Sequence, residues 1–320
     1  MGSYVVHRLV LFIPTLLLVS LIVFVVMRIM PGDPALLILL GEGEGTYTPQ
    51  ELDNLRHKLG TNRPILEQYV TWIWGVAQGD LGRSLWDNSP VMRQIQDRLP
   101  VTLQLAAMAI VVAALVAVPI GMLSAVKQDS WIDNTTRVFT IFGVAAPPFW
   151  VGILTIVFLA KVFHWLPPLD YAHPWVDPWR NLQQLIFPTL VLAYYEMAFL
   201  ARVTRSATLE VLREDYVRTA RAKGLMERFV LFRHVLANCI LPVLTVSSWQ
   251  FGRLMGGAVL IEAIFLVPGT GSLLIDSLYR RDFPIIQALI LLAAIIVLVS
   301  NMVVDLLYGF IDPRIRYSEA

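Results

Sequence analysis

Residues 9–27 read LVLFIPTLLLVSLIVFVVM, a run of 19 uncharged residues set between Arg8 and Arg28. A helix rises about 1.5 Å per residue, so this run alone crosses the roughly 30 Å of hydrocarbon in a bilayer. It is longer than the apolar stretch of a cleaved leader, and no small-x-small site follows it. That combination predicts a segment retained as a membrane span.

The same test finds uncharged stretches at 99–126, 138–160 and 283–304, each long enough to span and each bounded by charge. Two further stretches, 181–201 and 235–261, are interrupted by one ion each, Glu196 and Arg253. Six transmembrane helices are therefore expected, an all-α polytopic membrane protein. Composition agrees: 57% of the 320 residues are hydrophobic and 15% charged, against about 25% charged in a soluble domain. The formal charge of +1, with no basic run beside an aromatic array, argues against a nucleic-acid partner. Cys239 is the only cysteine, which rules out an intrachain disulfide and a cysteine metal cage.

The polar segments divide the chain. Residues 1–30 form a short tail and the first span, 31–98 a long extracytoplasmic loop or cap, 99–310 a five-helix core, and 311–320 a tail. Within the cap, Thr48-Pro49-Gln50-Glu51 has the order of an N-cap, an N1 proline and an N3 glutamate. Leu52, Leu55 and Leu59 follow at helical spacing, so a small external helix is expected. A final exposed loop is expected at 262–282. With the N terminus inside, 13 Lys and Arg face the cytoplasm: Arg8, Lys127, Arg137, eight at 202–233, Arg314 and Arg316. The two shorter outer loops hold three, Arg180, Arg280 and Arg281. Counted over short loops, as the positive-inside rule requires, this places both termini in the cytoplasm. Trp72, Trp74, Trp86, Trp165, Trp175 and Trp179 gather on the outer side, where amphipathic rings suit the headgroup layer.

The inner segment 202–238 carries EDYVRTARAKG at 214–224. Leu209, Leu212, Tyr216 and Thr219 make one apolar-leaning stripe, and Leu225, Phe229, Phe232 and Leu236 another beyond Gly224, which reads as a break between two helices. Ala220 and Ala222 would let another protein surface approach closely, while the arginines around them would pair with its acidic groups. An ordinary solvated inner loop fits the same charge pattern.

The segment resembles the coupling loop of ABC importer permeases, whose pattern is E-A-A, three residues, G, nine residues, I-x-L-P. Aligned on Gly224, the first three positions are Arg218, Thr219 and Ala220, and the last four are His234, Val235, Leu236 and Ala237. The spacing is kept and several letters differ. The form is similar to that of the dipeptide/oligopeptide permease branch, as are PGDP at 31–34, GDLG at 79–82, RDFP at 281–284, DLLYG at 305–309 and DPR at 312–314. The likeness runs from end to end. It implies a type I importer fold and a bacterial-type inner membrane location. It also implies a second homologous permease subunit, two ATP-binding subunits, an extracytoplasmic substrate-binding protein and contact with membrane lipid. It further implies that Asp215, Tyr216, Arg218, Thr219, Ala220, Arg221, Ala222, Lys223, Gly224 and His234 serve ATPase coupling. No cofactor is expected in this chain, since ATP and Mg would be bound by the partners.

Other features have two readings each. Glu196 and Arg253 lie at similar depth, and form either part of a translocation pathway or a purely structural pair. Pro147 and Pro148 must bend the third span, which is tolerated where neighbours or a water-lined cavity satisfy the freed carbonyls. Asp305 reads as an interfacial residue. Gly252 and Gly256 read as helix packing. His7, His57, His164, His173 and His234 lack metal-ligand spacing. PGTG at 268–271 is not a nucleotide loop, because no G-x-x-x-x-G-K-S/T occurs. An intramembrane enzyme would need H-E-x-x-H, G-x-S-x-G or a comparable constellation, and none occurs. A secondary carrier would show paired broken helices in related halves, and has no use for a coupling loop.

Overall fold

The computed structural model describes residues 2–29, 32–40 and 47–311, and these are helical with short connections. The elements in order are α1 (Gly2–Ile29), α2 (Pro34–Leu40), α3 (Pro49–Leu59), α4 (Ile65–Ala77) and α5 (Val91–Val126). They continue with α6 (Trp131–Ala145), α7 (Pro148–Val162), α8 (Pro178–Leu212), α9 (Asp215–Ala222) and α10 (Glu227–Phe229). A π-helical segment, Val230–Leu236, leads into α11 (Ala237–Gly257), followed by α12 (Val259–Ile264), α13 (Thr270–Arg280) and α14 (Phe283–Ile311). Among the described residues, five helices are long and apolar enough to cross a membrane, or six if α6 and α7 together make one span.

That pair carries the bend expected at Pro147 and Pro148. Over the run 138–160, α6 and α7 meet at 97°. Pro147 and Pro148 supply the cause: neither has an N–H, and each disfavours helical backbone in the residue before it. Ala146 and Pro147 accordingly sit in extended conformation, ψ 122° and 131°, and Pro148 starts α7. The other spans keep their places, with α5 beginning at Val91, eight residues ahead of the apolar run.

The helices group into two compact units, Val101–Pro268 with the chain from Val297, and Gly2–Pro100 with Gly269–Ile296. In the first, α5, α8 and α11 meet on small side chains: Ala113 and Ala117, Ala193 and Ala201, and Val243. Without a strong hydrophobic drive between helices in lipid, such small residues permit the close backbone approach that supplies van der Waals attraction. Glycines set two of these crossings. A Cβ on Gly143 of α6 would lie 2.5 Å from the Ala198 Cβ, and one on Gly121 of α5 would lie 2.6 Å from the Ala201 carbonyl oxygen. The Gly252–Gly256 reading is half corrected: Gly252 faces Val297 of α14 at 3.5 Å, but nothing lies within 4 Å of where a Gly256 Cβ would be.

In the second unit, Val91, Ile95, Leu273, Ile285, Ala288 and Leu289 make the core, while Met27, Phe283 and Ile286 form a smaller cluster. The helix expected after Thr48 is α3, and it has its capping box. Thr48 Oγ1 accepts from the Glu51 N–H at 3.2 Å, and Glu51 Oε2 accepts from the Thr48 N–H at 2.8 Å. Gly60 ends α3 in left-handed conformation. Phe24 of α1 packs on Tyr69 and Trp72 of α4, with ring centroids at 5.4 and 5.9 Å.

The expectation of an exposed loop at 262–282 is overturned. Glu262 and Asp282 are both buried, and α13 fills the interval. Burial is tolerable because the carboxylates find hydroxyl donors: Thr102 Oγ1 donates to Glu262 at 2.6 Å, and Ser84 Oγ donates to Asp282 at 2.5 Å. The side chains of His7 and Asp305, and residues 312–320, lie outside the described residues.

Candidate coupling surface and core ion pairs

α8 stops at Leu212, where Arg213 closes the helix and Glu214 turns extended, and α9 begins at Asp215. The predicted stripe Leu209, Leu212, Tyr216 and Thr219 is therefore not one helical face. Instead α9 turns Val217 and Ala220 inward against Ala207, Val230, Val235 and Cys239. This corrects the reading of Ala220, which packs within its own chain and offers no free surface. The opposite side carries Asp215, Tyr216, Arg218, Thr219, Arg221, Ala222 and Lys223, all exposed.

Gly224 ends this element. Its φ is +77°, a conformation that costs an L side chain, and its N–H donates to the Arg221 carbonyl at 2.9 Å while the Leu225 N–H reaches Ala220 at 3.4 Å. These paired bonds make a Schellman motif with glycine just past the cap. Arg221 then bridges to Glu227 of α10 through Nε at 3.1 Å and Nη2 at 2.6 Å, and that contact raises the guanidinium pKa further. Partial burial, assisted by the Glu214 carboxylate, pushes the Tyr216 phenol up.

The second predicted stripe is also corrected. Leu225, Phe229 and Phe232 are exposed, and the inward side is Val230, Val235 and Cys239. Leu225 lies outside any helix, between α9 and α10, so it starts no helical stripe, and from Val230 on the π-helical turn's extra residue rotates side chains such as Phe232 away from α-helical register. His234 sits beside Phe229, ring centroids 6.4 Å apart, and Arg233 lies 5.5 Å over the same ring. A cationic short helix next to exposed Leu225, Met226, Phe229 and Phe232 is the result.

Glu196 of α8 and Arg253 of α11 do meet. Arg253 Nη2 reaches both carboxylate oxygens, at 2.9 and 3.0 Å, and Gln250 Nε2 donates to the Glu196 carbonyl at 3.2 Å. The Glu196 side chain is 2% exposed and that of Arg253 39%. The guanidinium lies over Tyr195 and Trp249, at 5.0 and 5.4 Å. Pro147 and Pro148 serve the bend between α6 and α7.

A second ionic cluster escaped sequence reading. Asp133, fully buried, accepts from Arg205 Nε and Nη2 at 2.8 Å each, from Arg137 Nη2 and Ser124 Oγ at 2.5 Å, and from the Asp129 N–H at 3.0 Å. It thereby ties the end of α5 and the start of α6 to α8. Part of it was legible, since Ser130 three residues before Asp133 has capping spacing and Arg137 lies four residues on. Arg205, distant by 72 residues, was visible only as an inner charge.

A bundle of long apolar helices, holding buried carboxylates against arginines and presenting a short cationic helix between two of them, defines a polytopic integral-membrane protein. Residues 117–317 match the family described as the binding-protein-dependent transport system inner membrane component, and residues 1–106 match the N-terminal region of such components. The chain belongs to this family: it is a multi-pass inner-membrane permease subunit of an importer, not an enzyme. It is 38% identical to the dipeptide transport system permease protein DppB of Escherichia coli, with all of both chains covered. It is likewise 38% identical to the protein of the same name from Alkalihalophilus pseudofirmus, over 99% of this chain and all of that one. In fold it resembles the MetNI methionine ABC transporter in an inward-facing conformation, with TM-score 0.57 and 16% identity over 69% of this chain and 97% of the other.

Proposed function

We propose that this permease carries di- or oligopeptides and couples to its ATPase subunits through α9 and the turn at Gly224. The single observation that carries the coupling reading is the division of α9 into two faces. Val217 and Ala220 anchor it to the bundle, while Tyr216, Arg218, Arg221 and Lys223 are left to solvent beside Leu225, Phe229 and Phe232. A helix anchored on one side and polar-cationic on the other moves as a body when a partner pushes it, and the Arg221–Glu227 bridge carries that motion toward the π-helical segment and α11. ATP and Mg are bound by the ATPases, and this chain needs no cofactor.

Peptide cargo is supported by the resemblance to relatives named for dipeptide transport. A second homologous permease completes the pathway, an extracytoplasmic binding protein delivers the cargo, and both termini face the cytoplasm. Glu196 and Arg253, with their aromatic neighbours, line that pathway, as do Pro147 and Pro148 at the break between α6 and α7. The test is labelled-dipeptide uptake by cells carrying Tyr216→Ala with Arg218→Glu, alongside affinity purification of the tagged complex. Uptake should collapse while the chain still inserts, and ATPase copurification should weaken. Undiminished uptake with an intact complex would remove α9 from the coupling role.

A further inference from the structure

α4 belongs to the segment expected outside the membrane, yet its sequence, ILEQYVTWIWGVA, holds Glu67 as its only charge. Within the compact unit formed by Gly2–Pro100 and Gly269–Ile296 it packs on α1, and the contacts fix its level. Tyr69 Oη lies 2.8 Å from Ser20 Oγ and donates to the Leu17 carbonyl at 3.3 Å. Phe24 takes the Tyr69 and Trp72 rings at 5.4 and 5.9 Å. Leu17, Ser20 and Phe24 all stand inside the 19-residue apolar run that ends before Arg28. Counting back from Arg28 to Ser20 gives eight residues, about 12 Å of helix axis. α4 therefore lies beside the last turns of a membrane span, at the depth where hydrocarbon gives way to headgroups.

The surface of α4 has three sides. Tyr69 and Trp72 face α1. Glu67 and Thr71 are exposed on a polar side. There Glu67 accepts from Arg63 at 3.2 Å, and Gln68 Nε2 donates to the Thr61 and Arg63 carbonyls at 3.1 and 2.7 Å. The third side carries Leu66, Val70 and Trp74, one helical turn apart and all exposed, with Ile65 beside them in the first turn. No residue of α4 is buried.

An apolar stripe open at this depth has lipid as its neighbour. α1 leaves Leu21, Ile22, Val25 and Val26 exposed at the same level, and in a membrane span such side chains meet acyl chains. We propose that α4 is an interfacial helix. Its Leu66–Val70–Trp74 side is sunk among the acyl chains of the leaflet that holds the C-terminal end of α1, and its Glu67–Thr71 side is turned to headgroups and water. One apolar stripe opposite a polar side is the pattern that holds a helix in the plane of the interface, and an indole ring is stable at that boundary. Through Glu67 and Gln68 the helix also ties the turn after α3 to the membrane surface.

The test uses the full chain in its purified complex, reconstituted in nanodiscs of phosphatidylethanolamine and phosphatidylglycerol. Spin labels are placed one at a time through Leu66→Cys, Val70→Cys, Trp74→Cys, Glu67→Cys and Thr71→Cys, with Val25→Cys as the reference in lipid. Cys239 is buried and is left in place. The ratio of collisions with oxygen to collisions with a nickel chelate should be roughly tenfold higher at the first three positions than at Glu67 and Thr71, and should match the reference. A stripe as open to the nickel chelate as the polar side would place α4 in water, and one shielded from both reagents would mean that protein covers it. Either result overturns the proposal. In the unmodified complex, a carbene precursor carried on a phospholipid acyl chain should label residues 65–77, and absence of label there overturns the proposal without reliance on any variant.

Discussion

Glu196 and Arg253 hold each other in a bundle where an unmatched charge is costly, so their value is read by breaking and restoring them. Glu196→Arg and Arg253→Glu should each abolish uptake, and the double exchange should recover a substantial part. Two losses that merely add, measured as initial uptake rates at equal membrane abundance, would mean that the pair is not the working unit. Gly224 calls for a different argument. Nothing lies within 4 Å of where its Cβ would stand, so Gly224→Ala is penalised by left-handed backbone alone, about 1–2 kcal/mol. Thermal unfolding in detergent should show that modest loss, with a larger fractional loss of uptake if the turn relays motion. At this scale Glu196, Arg253 and Gly224 were legible because an ion in an apolar run and a glycine after a helical run are local signals. Glu262 and Asp282 were not, since burial of a carboxylate beside Thr102 or Ser84 depends on residues 160 and 198 positions away.

The helices differ in how far their own sequence settles them. α3 is set by its capping box, and the Thr48 backbone and hydroxyl bonds hold the Glu51 carboxyl below the usual carboxylate range. A folded pKa held low means that the contribution is present above the unfolded value and disappears as pH falls through the folded one. Amide-exchange protection at the start of α3 should therefore persist at pH 5 and be lost in stronger acid, and Thr48→Ala should remove it at every pH. The crossing of α6 on α8 is decided elsewhere. Gly143→Leu would drive a side chain into Ala198 and Tyr194, whereas Gly256→Leu meets open space. The first should cost several-fold more in membrane abundance than the second, as read by quantitative blotting. Neither glycine announces its difference in the sequence, because a small residue marks close packing only once its neighbour is known. The failure of the two predicted stripes around Gly224 has a similar cause. Periodicity assumed one α-helical register, while the chain breaks at Arg213 and Glu214 and then runs through a π-turn at Val230–Leu236.

For the whole molecule, Asp133 is the test of integrity. Its carboxylate joins α5, α6 and α8 through Ser124, Arg137 and Arg205. Asp133→Ala leaves the partially covered Arg205 without its partner, and should lower stability by about 3 kcal/mol, seen as a lower unfolding midpoint with reduced copurification of the other subunits. Residue order alone established the membrane class, the number of apolar runs, the capped helix α3 and the segment 214–224. Each follows from hydrophobic length or from residues within a helical turn of one another, and bilayer thickness and backbone hydrogen bonding act on such short stretches. Tertiary structure alone decided that Ala220 faces inward, that the bend expected in 138–160 reaches 97°, and that Asp133 meets Arg205. These outcomes depend on which surfaces are excluded from solvent and lipid once distant helices pack, and that exclusion is a property of the assembled fold.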